Sequence, residues 1–175
     1  LPGGAAAGAS DSKLPDMQAG WEQMCSNVMA GLSGLNMVYE AAGMHASLLG
    51  FCHESLVLGN DMVGQALRCV RGIEVTEDSV AVETIRQTVL GPDGTGGPGH
   101  YLGADQTLTR MQSDFVYPEL GDRTSPKEWD ENDKPDLLDT AKRRTAALLA
   151  APNTAALPGD VDAAIRARFA IHLPA

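Results

Sequence analysis

A chain of 175 residues is long enough for one domain that buries roughly 70% of its unfolded surface. Hydrophobic residues make up 43% and charged residues 21%, which excludes wholesale disorder. Lys and Arg number 13 against 23 Asp and Glu, a net charge of −10, which excludes nucleic acid or an anionic membrane as the main partner because both need basic surface.

No apolar run reaches the roughly 18 residues of a transmembrane helix. Cys25, Cys52 and Cys69 are an odd set without paired spacing, which reads as free thiols in a reducing cytoplasm. The chain opens Leu1-Pro2-Gly3-Gly4, with neither Met nor a basic region. It reads as a fragment or processed piece, without a signal peptide.

In chain order, residues 1–12 are Gly, Ala and Ser, a frayed lead-in or a small-residue strand without partners. Pro15 suits the first turn of a helix carrying Met17, Trp21, Met24, Val28 and Leu32, with Gly31 and Gly34 as stop signals. Leu35 to Glu40 reads as a short strand. A loop with Gly43 and Gly50 leads to a helix over 54–71, whose apolar stripe is Leu56, Val63, Leu67 and Val70 and whose end is Gly72. Thr76 caps a third helix with Val82, Ile85 and Val89, stopping at Gly91. The Gly- and Pro-rich stretch 91–99 is the natural boundary of the chain. A short helix then passes through Leu108 and Met111, and Phe115 to Pro118 is an extended connector. Ser125-Pro126-Lys127-Glu128 is a capping box. Pro135 opens a helix with Leu137, Leu138, Ala141, Leu148 and Leu149. The last helix carries Val161, Ile165 and Phe169.

Few residues call for chemistry. The loop 91–99 lacks the Gly-Lys-Ser/Thr of a phosphate cradle and is a surface loop. His45, Cys52, His53 and Glu54 fit no metal-ligand spacing; a core thiol and a helix-start histidine explain them better. Met17, Trp21 and Met24 share a helical stripe, which favours core packing over a ligand box. Lys142-Arg143-Arg144 sits late in its helix, where positive charge suits the dipole. Tyr39-Glu40 ends the strand before a Gly-containing loop. In parallel α/β proteins strand carboxyl ends carry the chemistry, and an aromatic beside a carboxylate suits a cationic amine. An exposed strand-end glutamate accounts for the pair equally well.

Several stretches, in order, resemble one family. Asp11-Ser12-Lys13-Leu14-Pro15-Asp16-Met17-Gln18-Ala19-Gly20-Trp21-Glu22 is similar to a signature of the trimethylamine methyltransferase family. So are Leu35 to Gly43, Arg71-Gly72-Ile73-Glu74-Val75, and Gly97-Pro98-Gly99-His100-Tyr101-Leu102-Gly103. Tyr117-Pro118, Asp122-Arg123 and Trp129 complete the pattern, although the 91–96 loop is longer than the family's usual turn. The resemblance implies an α/β parent, a (β/α)₈ TIM barrel about three times this length. This chain would be its C-terminal part, mainly α with one to three short strands. Residues 1–90 would hold the last β/α unit or units, and 91–175 a helical extension.

The activity so implied moves a methyl group from a tertiary or quaternary amine, trimethylamine or betaine-like, to a corrinoid. The corrinoid (cobalamin) is presented by a partner protein and is not bound directly by this chain. Some family members use pyrrolysine, at a position around Asp11 to Gln18; this chain has only standard residues, which favours the betaine-like branch. The expected site is a catalytic Glu40 with Tyr39, Lys13, Asp16, Gln18, His45 and Phe51 around the substrate, and no metal. Homo-oligomers in the cytoplasm are expected. The alternative is a catalytically inactive helical assembly or oligomerisation fragment.

Overall fold

The computed structural model describes residues 2–152 and 157–172. Strand β1 (Gly4–Ala6) leads through a loop to helix α1 (Met17–Leu32), and strand β2 (Met37–Tyr39) returns parallel to β1 in the register Gly4–Met37, Ala5–Val38, Ala6–Tyr39. A hairpin of β3 (Met44–His45) and β4 (Gly50–Phe51) follows, and then α2 (His53–Arg71). The order is therefore β-α-β-α with a helical crossover between two neighbouring parallel strands. The small-residue lead-in does form a strand, and it is the one that pairs with β2. The hairpin lies in a stretch whose sequence reads as a loop.

Helix α1 starts two residues later than Pro15 suggests, at Met17. Asp16 is the N-cap and its carboxylate accepts the Ala19 N–H at 3.0 Å, so Pro15 precedes the cap. The expected apolar stripes are a correction. On α1 the buried residues are Ala19, Gln23, Asn27 and Ala30, while Met17, Trp21 and Leu32 are exposed. On α2 they are Ser55, Gly59 and Ala66, while Leu56, Leu67 and Val70 are exposed. Small residues let the two helices approach closely, and the polar ones reach loop carbonyls.

The third helix is two. Thr76 and Ser79 form a reciprocal capping box for α3 (Glu77–Val80), and left-handed Ala81 (φ 60°) separates it from α4 (Val82–Leu90). A tertiary contact lies beside the break. Asp78 is held by Gln106 and Arg110 of α5 (Asp105–Ser113), which fixes α3 against α5. The far end of α5 is tied to the end of α2: Arg68 Nε donates to Asp114 O at 2.6 Å and Arg71 Nη2 to Ser113 O at 2.9 Å. The Ser125 capping box opens α6 (Pro126–Glu131) as expected, and α7 (Leu137–Ala150) and α8 (Gly159–Arg168) follow. Contacts divide the chain into Leu1–Thr145 and Ala146–Ala175. No helix among the described residues is long and apolar enough to cross a membrane.

The apolar residues that are fully buried, among those described, are Ala7, Ala19, Ala30, Ala66 and Ala141. Large side chains stay outside: Met37, Leu49, Ile73 and Leu102 are 62%, 91%, 85% and 78% exposed. At roughly 1.5–3 kcal/mol per large apolar side chain buried, such a surface is a strong drive to associate. The isolated chain is expected to sediment at micromolar concentration as oligomers; a clean monomer would show that these faces are tolerated in water.

Candidate functional site

The carboxyl ends of β1 and β2 are covered by one bonded set of loops. Ser10 N–H donates to Met44 O at 3.1 Å, Ala46 N–H to Ser12 O at 2.9 Å and Ser47 N–H to Ser10 O at 3.1 Å, so the loop after β1 and the β3–β4 hairpin are stitched together. Ser47 Oγ adds a bond to the Asp11 carboxylate. The hairpin tip Ala46-Ser47-Leu48 is left-handed throughout, with φ of 51°, 54° and 72°. Such residues cost roughly 1–3 kcal/mol each and persist where surrounding bonds hold them.

Helix α1 supports the loops with side chains from its buried stripe. Gln23 Nε2 donates to Met44 O at 3.1 Å, and Asn27 Nδ2 to Ala41 O at 2.9 Å. Ser26 Oγ accepts the Gly8 N–H at 2.9 Å. Glu22 accepts three bonds, from Ser10 Oγ at 2.6 Å, the Asp11 N–H at 2.9 Å and Gln18 Nε2 at 2.9 Å. Those donors, the Ser10 hydroxyl first, hold the Glu22 carboxyl below its ordinary range, so it stays ionised. None of Ser10, Glu22, Gln23 and Asn27 is picked out by type in the sequence. The one visible sign is polar residues at helical spacing where a core face belongs.

The seven expected site residues separate. Glu40 lies at the carboxyl end of β2 with left-handed φ of 55°, exposed, and no hydrogen bond or ion pair of its carboxylate occurs among the described residues. Tyr39 is 49% exposed on the strand face it shares with Met37. Its ring folds back over Gly4, where a Cβ would stand 2.5 Å from the phenol oxygen. Adjacent in sequence, the two are not a side-by-side pair. Lys13 is exposed, with Nζ on Asp11 O at 2.9 Å. Asp16 caps α1, and the Ala19 N–H, then the Ser12 hydroxyl, lower its carboxyl. Gln18 is spent on Glu22. His45 is buried, with Nε2 2.5 Å from Ser55 Oγ and Nδ1 buried without a partner. Phe51 is half-exposed and meets the His53 ring edge-on, centroids 5.3 Å apart. Cys52 is the N-cap of α2, its Sγ accepting the Ser55 N–H at 3.3 Å.

A cavity of about 620 Å³ lies elsewhere, among α1, α2 and residues 118–121 and 136–138; Met17 and Trp21 line it. Its carboxylates are already used. Asp16 serves Ala19, Asp61 accepts the Leu120 N–H at 2.7 Å, and Asp136 accepts the Leu138 N–H at 2.7 Å. At the strand ends the Glu40 carboxylate has no bonded partner among the described residues, as is also true of Glu74, Glu77 and Asp105 away from that end. Among the described residues no group of three or more His, Cys, Asp or Glu is placed to hold a metal ion.

The profile of a family described as trimethylamine methyltransferase matches residues 1–172. The chain is 29% identical over 170 residues to the glycine betaine methyltransferase of Desulfitobacterium hafniense strain Y51, covering 97% of this chain and 34% of that protein. It is 31% identical over 163 residues to the trimethylamine methyltransferase MttB of Methanosarcina thermophila, covering 93% and 31%. With MttB of Methanosarcina barkeri strain Fusaro the identity is 32% over 163 residues, covering 93% and 30%. The chain thus spans about a third of the length of the curated relatives it matches. A match over nearly all of its own length, joined to the β-α-β-α order of its first half, makes the chain a member of the trimethylamine methyltransferase family.

Proposed function

We propose that the intact polypeptide carrying this chain is an amine methyltransferase on a (β/α)₈ barrel. This chain supplies its last β/α units within residues 1–90 and the helical extension over 91–175. The parallel β1–α1–β2–α2 order, the repeating unit of such a barrel, supports that architecture. So do exposed apolar faces that other barrel units would cover. They also keep open the reading as an assembly piece, which predicts no methyl transfer.

The observation that carries the function is Glu40, a carboxylate at a strand carboxyl end with no partner among bonded neighbours. A quaternary ammonium has no N–H to donate, so it is held by charge and by aromatic faces. Glu40 supplies the charge. Tyr39 lies on the strand face turned away from partly covered Ala5 and Val38, which in a barrel is the interior. Lys13, a cation at the same end, suits the carboxylate of a betaine. Transfer needs no base: the methyl carbon is displaced from nitrogen, the C–N electron pair stays on nitrogen, and a reduced corrinoid on a partner protein takes the methyl group as co-substrate. The chain's part is to orient the ammonium and keep water from it. Three free cysteines fit a cytoplasmic setting.

The test is methyl transfer by the intact polypeptide to a reduced corrinoid acceptor, with glycine betaine and trimethylamine offered separately. Turnover is expected, with the quaternary amine preferred. No turnover with any tertiary or quaternary amine would leave the assembly reading.

A further inference from the structure

We propose that Glu22 is the positioning residue of this site, holding the loop after β1 and the β3–β4 hairpin as one rigid rim around the amine; the inference rests on the amine-transfer reading. Three separate groups converge on this one carboxylate: a side chain of its own helix (Gln18), a hydroxyl that is 2% exposed (Ser10) and a backbone N–H (Asp11). The bonds then run outward. Ser10 Oγ accepts the Ser12 N–H at 2.9 Å, and Ser12 Oγ accepts the Leu14 N–H at 3.2 Å, so the loop's turns are built on the group that Glu22 fixes. Ser10 O and Ser12 O receive the Ser47 and Ala46 N–H groups of the hairpin tip, and Asp11 receives the Ser47 hydroxyl.

The hairpin tip is left-handed at three successive residues without a glycine among them. Local preference disfavours it; besides one local bond, Leu49 N–H to Ala46 O at 3.1 Å, the bonds that hold it come from Ser10, Asp11 and Ser12. Glu22 therefore sets the shape of a segment to which it makes no direct bond. Glu40 follows β2 directly, between the strand and this hairpin, so loosening either loop displaces what faces the ammonium. A carboxylate suits the task because it is acceptor-only and all three groups are donors. An amide in its place could keep Ser10 and Asp11 on its oxygen and meet a turned Gln18 amide with its N–H, so only a side chain without acceptors breaks the set.

Glu22→Leu keeps roughly the size and removes both acceptors. Two readouts in the intact polypeptide test it. By hydrogen exchange, the Asp11 amide and the sequence-distant Ser47 amide are expected to exchange faster together, while those of β2 are unchanged. By kinetics, the amine KM is expected to rise about fivefold, well short of the roughly hundredfold that a displacement of about 1 Å can cost, with kcat less affected and the KM for the corrinoid acceptor unchanged. Ser10→Ala, which keeps the carboxylate but removes one donor to it and the acceptor of the Ser12 N–H, is the second variant should Glu22→Leu fail to fold, and the double variant should be no worse than the more damaging single one. Faster exchange at Asp11 alone, or a loss of thermal stability with an unchanged amine KM on the folded fraction, would overturn the positioning role. Coupled exchange without turnover of any amine in the wild type would instead retire the methyl-transfer reading, and the amine role of Glu22 with it.

Discussion

Gly8→Ala is expected to destabilise the protein by about 3–5 kcal/mol, a large share of the roughly 5–15 kcal/mol that a typical fold possesses. Gly8 has φ of +88°, and a Cβ there would stand 2.3 Å from Ala41 O and 2.6 Å from Asn27 Nδ2. Three penalties combine. The left-handed backbone costs an L-residue roughly 1–2 kcal/mol. Overpacking costs about 1–3 kcal/mol. Pushing Asn27 aside breaks its 2.9 Å bond to Ala41 O, and an unpaired carbonyl costs about 1–3 kcal/mol when buried. None of these can relax freely, because Gly8 N–H is itself held by Ser26 Oγ on α1. The matching control is Gly20→Ala, the fourth residue of α1, where a Cβ meets nothing within 4 Å. There the change should stabilise by about 0.5–1 kcal/mol, since alanine loses less entropy on entering a helix. Urea denaturation of the intact polypeptide measures both. Equal midpoints for the two variants would mean that Ala41 and Asn27 do not close over Gly8 as tightly as this.

Those opposite signs show where sequence reading stops. Helix ends were legible because caps are local chemistry: Thr76, Ser125 and Gly72 do what their types suggest. The strand at Leu35 to Glu40 was legible as a short run between turn signals. Which face of a helix is buried was not. The rule that apolar stripes face the core assumes that the chain owns the core. Here α1 turns Ala19, Gln23, Asn27 and Ala30 inward, while Met29 and Leu32 face outward and Met17 and Trp21 line an open cavity without being buried. The split at Ala81, where a non-glycine residue takes a φ of 60°, has no marker in the sequence, and neither has the meeting of nearby Asp78 with Arg110, 32 residues on.

The site was legible in part. Position at a strand end picked out Glu40, and the structure leaves its carboxylate without a partner. Adjacency did not make Tyr39 its companion, because the strand ends at Tyr39, whose ring reclines over Gly4, and Glu40 turns off it with a left-handed φ. Asp16 and Gln18 stood in the right segment, but their bonds go to the helix start and to Glu22. Of the residues that shape the rim, Glu22 closes the family-like stretch from Asp11 but its type assigns it no role, and Ser10 and Asn27 lie outside the stretches that resemble the family. Their role exists only once β1, α1 and the hairpin are folded together.

Glu40→Gln in the intact polypeptide should weaken amine binding or slow methyl transfer about tenfold or more, since contacts to a charged group are worth roughly 1.5–3 kcal/mol. The substitution keeps the size and removes the charge. Folding should hardly change, because Glu40 is exposed and its carboxylate bonds to nothing among the described residues. Its left-handed φ of 55° is a conformation that glutamine adopts no worse than glutamate. The loss should be larger for a permanently charged amine than for a neutral amine of the same shape, because only the charged one loses an electrostatic partner. A steric effect would penalise both alike. The competing account makes Glu40 a partner of groups elsewhere in the barrel. The variant would then lose thermal stability while the folded fraction transferred methyl groups normally and without regard to amine charge. That outcome would remove Glu40 from substrate binding and leave Tyr39, on the open face of β2, as the one ligand candidate of this strand.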